Sequence, residues 1–172
     1  MAKTTFSGPV YSKNGFINTG PGNTISLTAD TTLTVAAHAG RLLLTNDADG
    51  VFTLPTINVN ANSAVAGDTD YNNLNNIGAT FNFYVETAAT DMDILTDGTD
   101  KFVGAILTAI DDGAKKAFFP AANNDVITMN GGTKGGLVGS ILSITAIDDD
   151  AYLVHSSLLK ATATIVTPFA DA

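Results

Sequence analysis

A chain of 172 residues with a formal charge of −9 and no cysteine can build one domain with its own core, without disulfides or thiolate metal ligands. Its 8 basic residues are scattered and include one arginine, Arg41, so it lacks the basic stripe that nucleic acid or an anionic membrane would require. The acid is nearly all Asp, Glu86 is the sole glutamate and glutamine is absent. Together with abundant Thr, Asn and Gly, this disfavours surface helices and favours strands and turns.

Residues 1–23 contain Gly8-Pro9, Asn14-Gly15 and Gly20-Pro21-Gly22, breakers that leave little room for regular structure. They form either a frayed terminus or an extended arm along a neighbouring subunit, with Phe6, Val10 and Phe16 as apolar anchors. The segment has no apolar signal-peptide core, and no run in the chain approaches the ~20 apolar residues of a membrane helix. Synthesis in the cytoplasm is therefore expected.

From Thr24 onward, residues 24–172 read as a β domain. Ile25, Leu27, Leu33 and Val35 alternate with Ser and Thr at the period of half-buried strands. "RLLLT" and "VFTLP" flank Asn46-Asp47-Ala48-Asp49-Gly50, read as a hairpin turn whose Asp49-Gly50 supplies a positive φ. Pro55 to Gly78 has no clear period. It either hides a strand at Ile57–Val59 or is surface held for a partner.

"ATFNFYVET" is the clearest strand, with Phe81, Phe83 and Val85 on one face. "DMDILT" and "KFVGAILTAI" follow across a second hairpin-type turn, Asp97-Gly98, and residues 105–114 leave room for one helical turn. "KAFFP", "NDVITM", "GSILSITAI", "AYLVHSS" and "ATATIVTPF" complete the set, with a glycine-rich turn, "NGGTKGG", among them. About ten short antiparallel strands result, at the spacing of a sandwich, jelly roll or barrel, with no tandem repeat.

Candidate chemistry is sparse. Aligned to a calcium loop, Asp47, Asp49 and Gly50 leave Thr45 first and Thr56 twelfth, where acids are required. Asp148-Asp149-Asp150 reads as a solvated turn, and Asp91 with Asp93 makes a weak pair at most. His38 and His155 have neither a Gly-x-Ser-x-Gly serine nor zinc-ligand spacing beside them, and "NGGTKGG" lacks the Gly-Lys-Ser/Thr of a phosphate loop. The expectation is a protein that is not an enzyme and uses no metal or cofactor.

The succession "TTFSGPVYSKNGF", "TLTVAAHAGRLLLTNDADGVFTLPT", "GATFNFYVET", "GSILSITAIDDDAYLV" and "TPFA" resembles capsid decoration, or cement, proteins of tailed marine phages over nearly the whole chain. Relatives often carry Trp in the final strand pair, where this chain has Tyr152. The resemblance implies a β-rich structural virion protein on the outside of an icosahedral head, bound to the major capsid protein as a homotrimer at three-fold points. Phe6, Pro9, Val10 and Phe16 are then the candidate inter-subunit or shell contacts. The alternative is a tail-fibre or spike component that recognises the host surface through loop 55–78.

Overall fold

The computed structural model describes residues 20–59 and 75–172, which form two β-sheets facing each other across one core. The chain enters through a 3-10 turn, Pro21–Asn23, and then alternates between the sheets. β1 (Thr24–Leu27), β3 (Leu42–Thr45) and β5 (Thr80–Val85) lie in the first sheet. β2 (Thr31–Thr32), β4 (Val51–Thr53) and β6 (Met92–Leu95) lie in the second. A single helical turn, α1 (Val35–His38), links β2 to β3.

Because each strand lies parallel to the next in its own sheet, β1 to β6 are three stacked arches, each turning from the first sheet into the second. The arches bond to one another through their loops. The Asn46 N–H donates to Leu27 O at 2.8 Å, and the Val51 N–H to Asp30 Oδ1 at 2.9 Å. One level up, the Glu86 and Thr87 N–H groups donate to Thr45 O, and those of Thr90 and Asp91 to Ala48 O.

This corrects the reading of residues 46–50 as a hairpin. β3 and β4 belong to different sheets and do not pair, and neither Asp49 nor Gly50 has a positive φ. Gly50 is needed for space instead: a Cβ there would stand 2.7 Å from the Phe52 ring. Asp97-Gly98 is likewise an arch, carrying the chain from β6 in the second sheet to β7 (Lys101–Gly104) in the first.

β8 (Ile106–Ile110), β9 (Lys115–Phe118), β10 (Val126–Met129), β11 (Ile141–Asp148), β12 (Ala151–Ala161) and β13 (Phe169–Ala170) complete the sandwich. The first sheet has the order β1-β3-β5-β11-β12-β8-β9, with β7 also on β12, and the second the order β13-β10-β6-β4-β2. Asp149-Asp150 joins β11 to β12 in a true hairpin, as expected of that acidic turn. Residues 106–110 are strand rather than helical turn, and of 161–169 only the two end residues lie in strands, Ala161 in β12 and Phe169 in β13.

The all-β class holds, with thirteen strands among the described residues. The antiparallel arrangement does not: six of the eleven strand pairings are parallel. Parallel pairing without helices is possible among β1 to β6 because the opposite sheet supplies each return path. The core is built from alternate residues of both sheets. Phe81, Phe83, Ile144, Tyr152 and Val154 from the first meet Phe52, Met92, Ile94, Ile127 and Met129 from the second.

Candidate functional site

The outer face of the first sheet is set by the same alternation that fills the core. With Phe83, Leu142 and Leu159 turned inward, their neighbours Tyr84, Ile141 and Leu158 turn outward. Strand register lines these neighbours up across five strands. Leu44 stands opposite Tyr84, Tyr84 opposite Ile141, Ile141 opposite Leu158 and Leu158 opposite Leu107. Ile141, Leu158 and Leu107 are each 39–45% exposed, so the row is a continuous apolar stripe open to water.

Two further rows run beside it: Leu42, Asn82, Ser143 and His155, then Thr80, Thr145, Leu153 and Val103. Their polar groups are bonded to one another. Thr80 Oγ1 and Thr145 Oγ1 lie 2.7 Å apart, and Thr145 Oγ1 lies 2.8 Å from His155 Nε2. His155 Nδ1 is 3.2 Å from Ser156 Oγ, and Ser143 donates to Asn82 Oδ1 at 2.9 Å. Not one of the 17 acidic residues of the chain occupies any position in the three rows.

At the edge of this face β9 ends, and Phe119–Ala122 leave the sheet before Asn124 O accepts the Phe102 N–H at 2.9 Å. A hollow of about 460 Å³ opens between that segment and β7, beside the exposed Val103 and Phe119. Phe119 is 75% exposed, the most open of the large apolar side chains described.

His155 therefore belongs to a polar ladder in which its two ring nitrogens face the Thr145 and Ser156 hydroxyls. His38 is half-buried and serves the local turn. Its Nδ1 accepts the Thr34 N–H at 2.9 Å, while Thr34 Oγ1 accepts the Ala37 N–H. Burial lowers the His38 pKa, the Thr34 carbonyl oxygen 3.2 Å from Nδ1 opposes that shift, and the Arg41 charge adds to it. No group of three or more His, Asp or Glu that could hold a metal occurs among the described residues.

Two acids escaped the sequence reading because only folding brings partners to them. Asp125, 4% exposed, accepts from Lys101 Nζ at 2.7 Å and from the Ala172 N–H at 3.0 Å. Desolvation would raise its pKa, but the Lys101 hydrogen bond and charge and the Ala172 bond outweigh it and leave the pKa lowered. Asp100, 2% exposed, accepts the Ile57 N–H at 2.8 Å. Its pKa is raised, chiefly by burial and further by the charges of Asp97, Asp150 and Asp149.

Beside Asp100, the Tyr152 hydroxyl donates to Pro55 O at 2.5 Å, and burial pushes its pKa well up. Asn76 bridges the two ends of the long connection, donating to Thr56 O and accepting from the Asn58 N–H. Residues 57–59 are therefore pinned irregular chain rather than a strand. Phe6, Pro9, Val10 and Phe16 lie outside the described residues, as does most of the connection that was read as a partner surface. No protein-family model, curated protein or solved structure matches the chain.

Proposed function

We propose that the protein is a non-enzymatic structural virion protein, a capsid decoration protein that binds the outer surface of an icosahedral phage head. It acts as a homotrimer at three-fold sites, with the major capsid protein as its partner. The observation that carries this reading is the broad outer sheet face, with an apolar stripe beside a hydrogen-bonded polar ladder and no acid in its three rows, on a protein of charge −9. Such a face suits lasting contact with protein, and the sequence resemblance supplies the kind of assembly. A ligand that binds only the assembled shell stabilises it by its binding free energy.

The test is cosedimentation with heads of the encoding phage that have been stripped of accessory proteins. Saturable binding at a fixed number of copies per head, with DNA release moved to higher temperature, is the expected result. Heads that bind none of the protein would sink the proposal.

A tail-fibre or spike component is the second reading. It is favoured by the three stacked parallel arches of β1 to β6, a pattern that can be extended along one axis. A strongly elongated oligomer in sedimentation velocity would move the weight to it.

A further inference from the structure

We propose that the outer face of the first sheet, centred on the stripe Leu44–Tyr84–Ile141–Leu158–Leu107, is the contact between copies of this chain. The inference deepens the reading above and rests on its homo-oligomer, not on the shell; in a trimer the three copies of the face turn toward the common three-fold axis.

Three observations select a second copy as the occupant. The first is charge. Two molecules of −9 repel wherever their acids meet, and the three rows of this face contain no acid on either copy. The nearest charges stand one row further out: Glu86, Lys160 and Lys101 lie two residues beyond Tyr84, Leu158 and Val103, while Asp148 and Lys115 pair with Ala151 and Ala109, two residues beyond Leu153 and Leu107. A basic partner would seek the acidic loops and gain nothing from this surface.

The second is desolvation. Covering an unpaired hydroxyl or imidazole costs roughly 1–3 kcal/mol, but here Thr80, Thr145, His155 and Ser156 bond to one another, and Ser143 bonds to Asn82. The hydroxyls of this ladder and the imidazole can be dried without being stranded, and the Asn82 amide N–H groups and the Tyr84 hydroxyl are left to bond across the contact. The third is area. Five strands about 4.8 Å apart and three rows about 6.6 Å apart, with side-chain margins, span roughly 25 by 20 Å. That is about 500 Å² per copy and about 1,000 Å² across a pair, the lower bound of a specific interface. The hollow beside Val103 and Phe119 adjoins this face and extends the apolar surface past it.

Sedimentation velocity of the wild type, Leu158→Lys and Leu107→Lys tests the inference, with thermal unfolding as the control for folding. Each substitution moves the net charge from −9 to −8, which by itself eases association. We expect the wild type to be oligomeric and each variant to associate at least tenfold more weakly. A wild type that stays monomeric at about 100 µM, or variants that keep its oligomeric state, would overturn the inference.

A monomeric wild type whose binding to phage heads is lost in the variants would overturn it too, and would assign the face to the shell. If neither variant folds, hydroxyl-radical footprinting of the wild type decides. Leu107, Ile141 and Leu158 must become protected as concentration rises. An oligomer built through this face that ignores phage heads would sink the decoration reading and leave this inference standing.

Discussion

Lys101 and Asp125 join parts of the chain that no local pattern connects. Lys101 begins β7 in the first sheet, whereas Asp125 immediately precedes β10 in the second, and their 2.7 Å ion pair ties the two together. Removing one partner of a fully buried pair costs about 3–5 kcal/mol. The Lys101 side chain is 29% exposed, so Asp125→Ala should cost nearer 2–3 kcal/mol in urea unfolding at pH 7. The pH dependence follows from the lowered pKa. The contribution of Asp125 is fully present above the ordinary Asp value of 3.8 and is lost as pH falls through the folded-state value. The gap between wild type and variant should therefore close in acid. Asp100, with its pKa raised, acts in the opposite sense and favours the fold at low pH. Both residues are single acids in turn-like sequence, and nothing nearby in the chain marks them as buried.

At the scale of elements, strand identity was readable and strand partnership was not. Phe81, Phe83 and Val85 share the core face as their period of two requires. The same period cannot say whether the next strand returns in the same sheet or crosses to the other. An Asp-Gly step suits both, and at 46–50 and 97–98 the arch won because it lets both flanking strands bury apolar side chains in one core. The repeat of three arches stayed hidden because its first-sheet strands start at Thr24, Leu42 and Thr80, with unequal connections between them.

Register has its own control point. β12 bulges between its contacts with β7 and β8, where Ser156 adopts φ 47°, and facing it the chain kinks at Gly104, φ 97°. A Cβ on Gly104 would stand 2.3 Å from Val154 O. Gly104→Ala should cost about 2–4 kcal/mol and lower Tm by about 5–15 °C, read by calorimetry. Gly22→Ala, with open space around it and no positive φ, should leave Tm unchanged.

The whole molecule combines a charge of −9 with three rows of one sheet face that hold no acid. Association through that face works against the mutual repulsion of the copies, which salt screens. Raising NaCl from about 20 to about 300 mM should therefore tighten self-association in sedimentation equilibrium. Weakening by salt would point instead to intermolecular ion pairs. The face itself was only half legible. Each of Leu44, Tyr84, Ile141, Leu158 and Leu107 sits in a strand with an apolar side chain on its outer side, but the row exists only once register sets them side by side. The expected contacts at Phe6, Pro9, Val10 and Phe16 rest on residues beyond those described, so the sheet face and the arm are separate expectations.

By itself the sequence determined that this is a β protein with an acidic surface, that Phe81, Phe83 and Val85 of its clearest strand turn inward, and that its acidic turns lack calcium-loop spacing. These are consequences of composition and of neighbours one or two positions apart. The two sheets, the parallel stacking of arches, the burial of Asp100 and Asp125 and the apolar stripe were decided by the tertiary structure. Each depends on which distant strands pair and in what register, and a period of two is the same for every partner a strand could take.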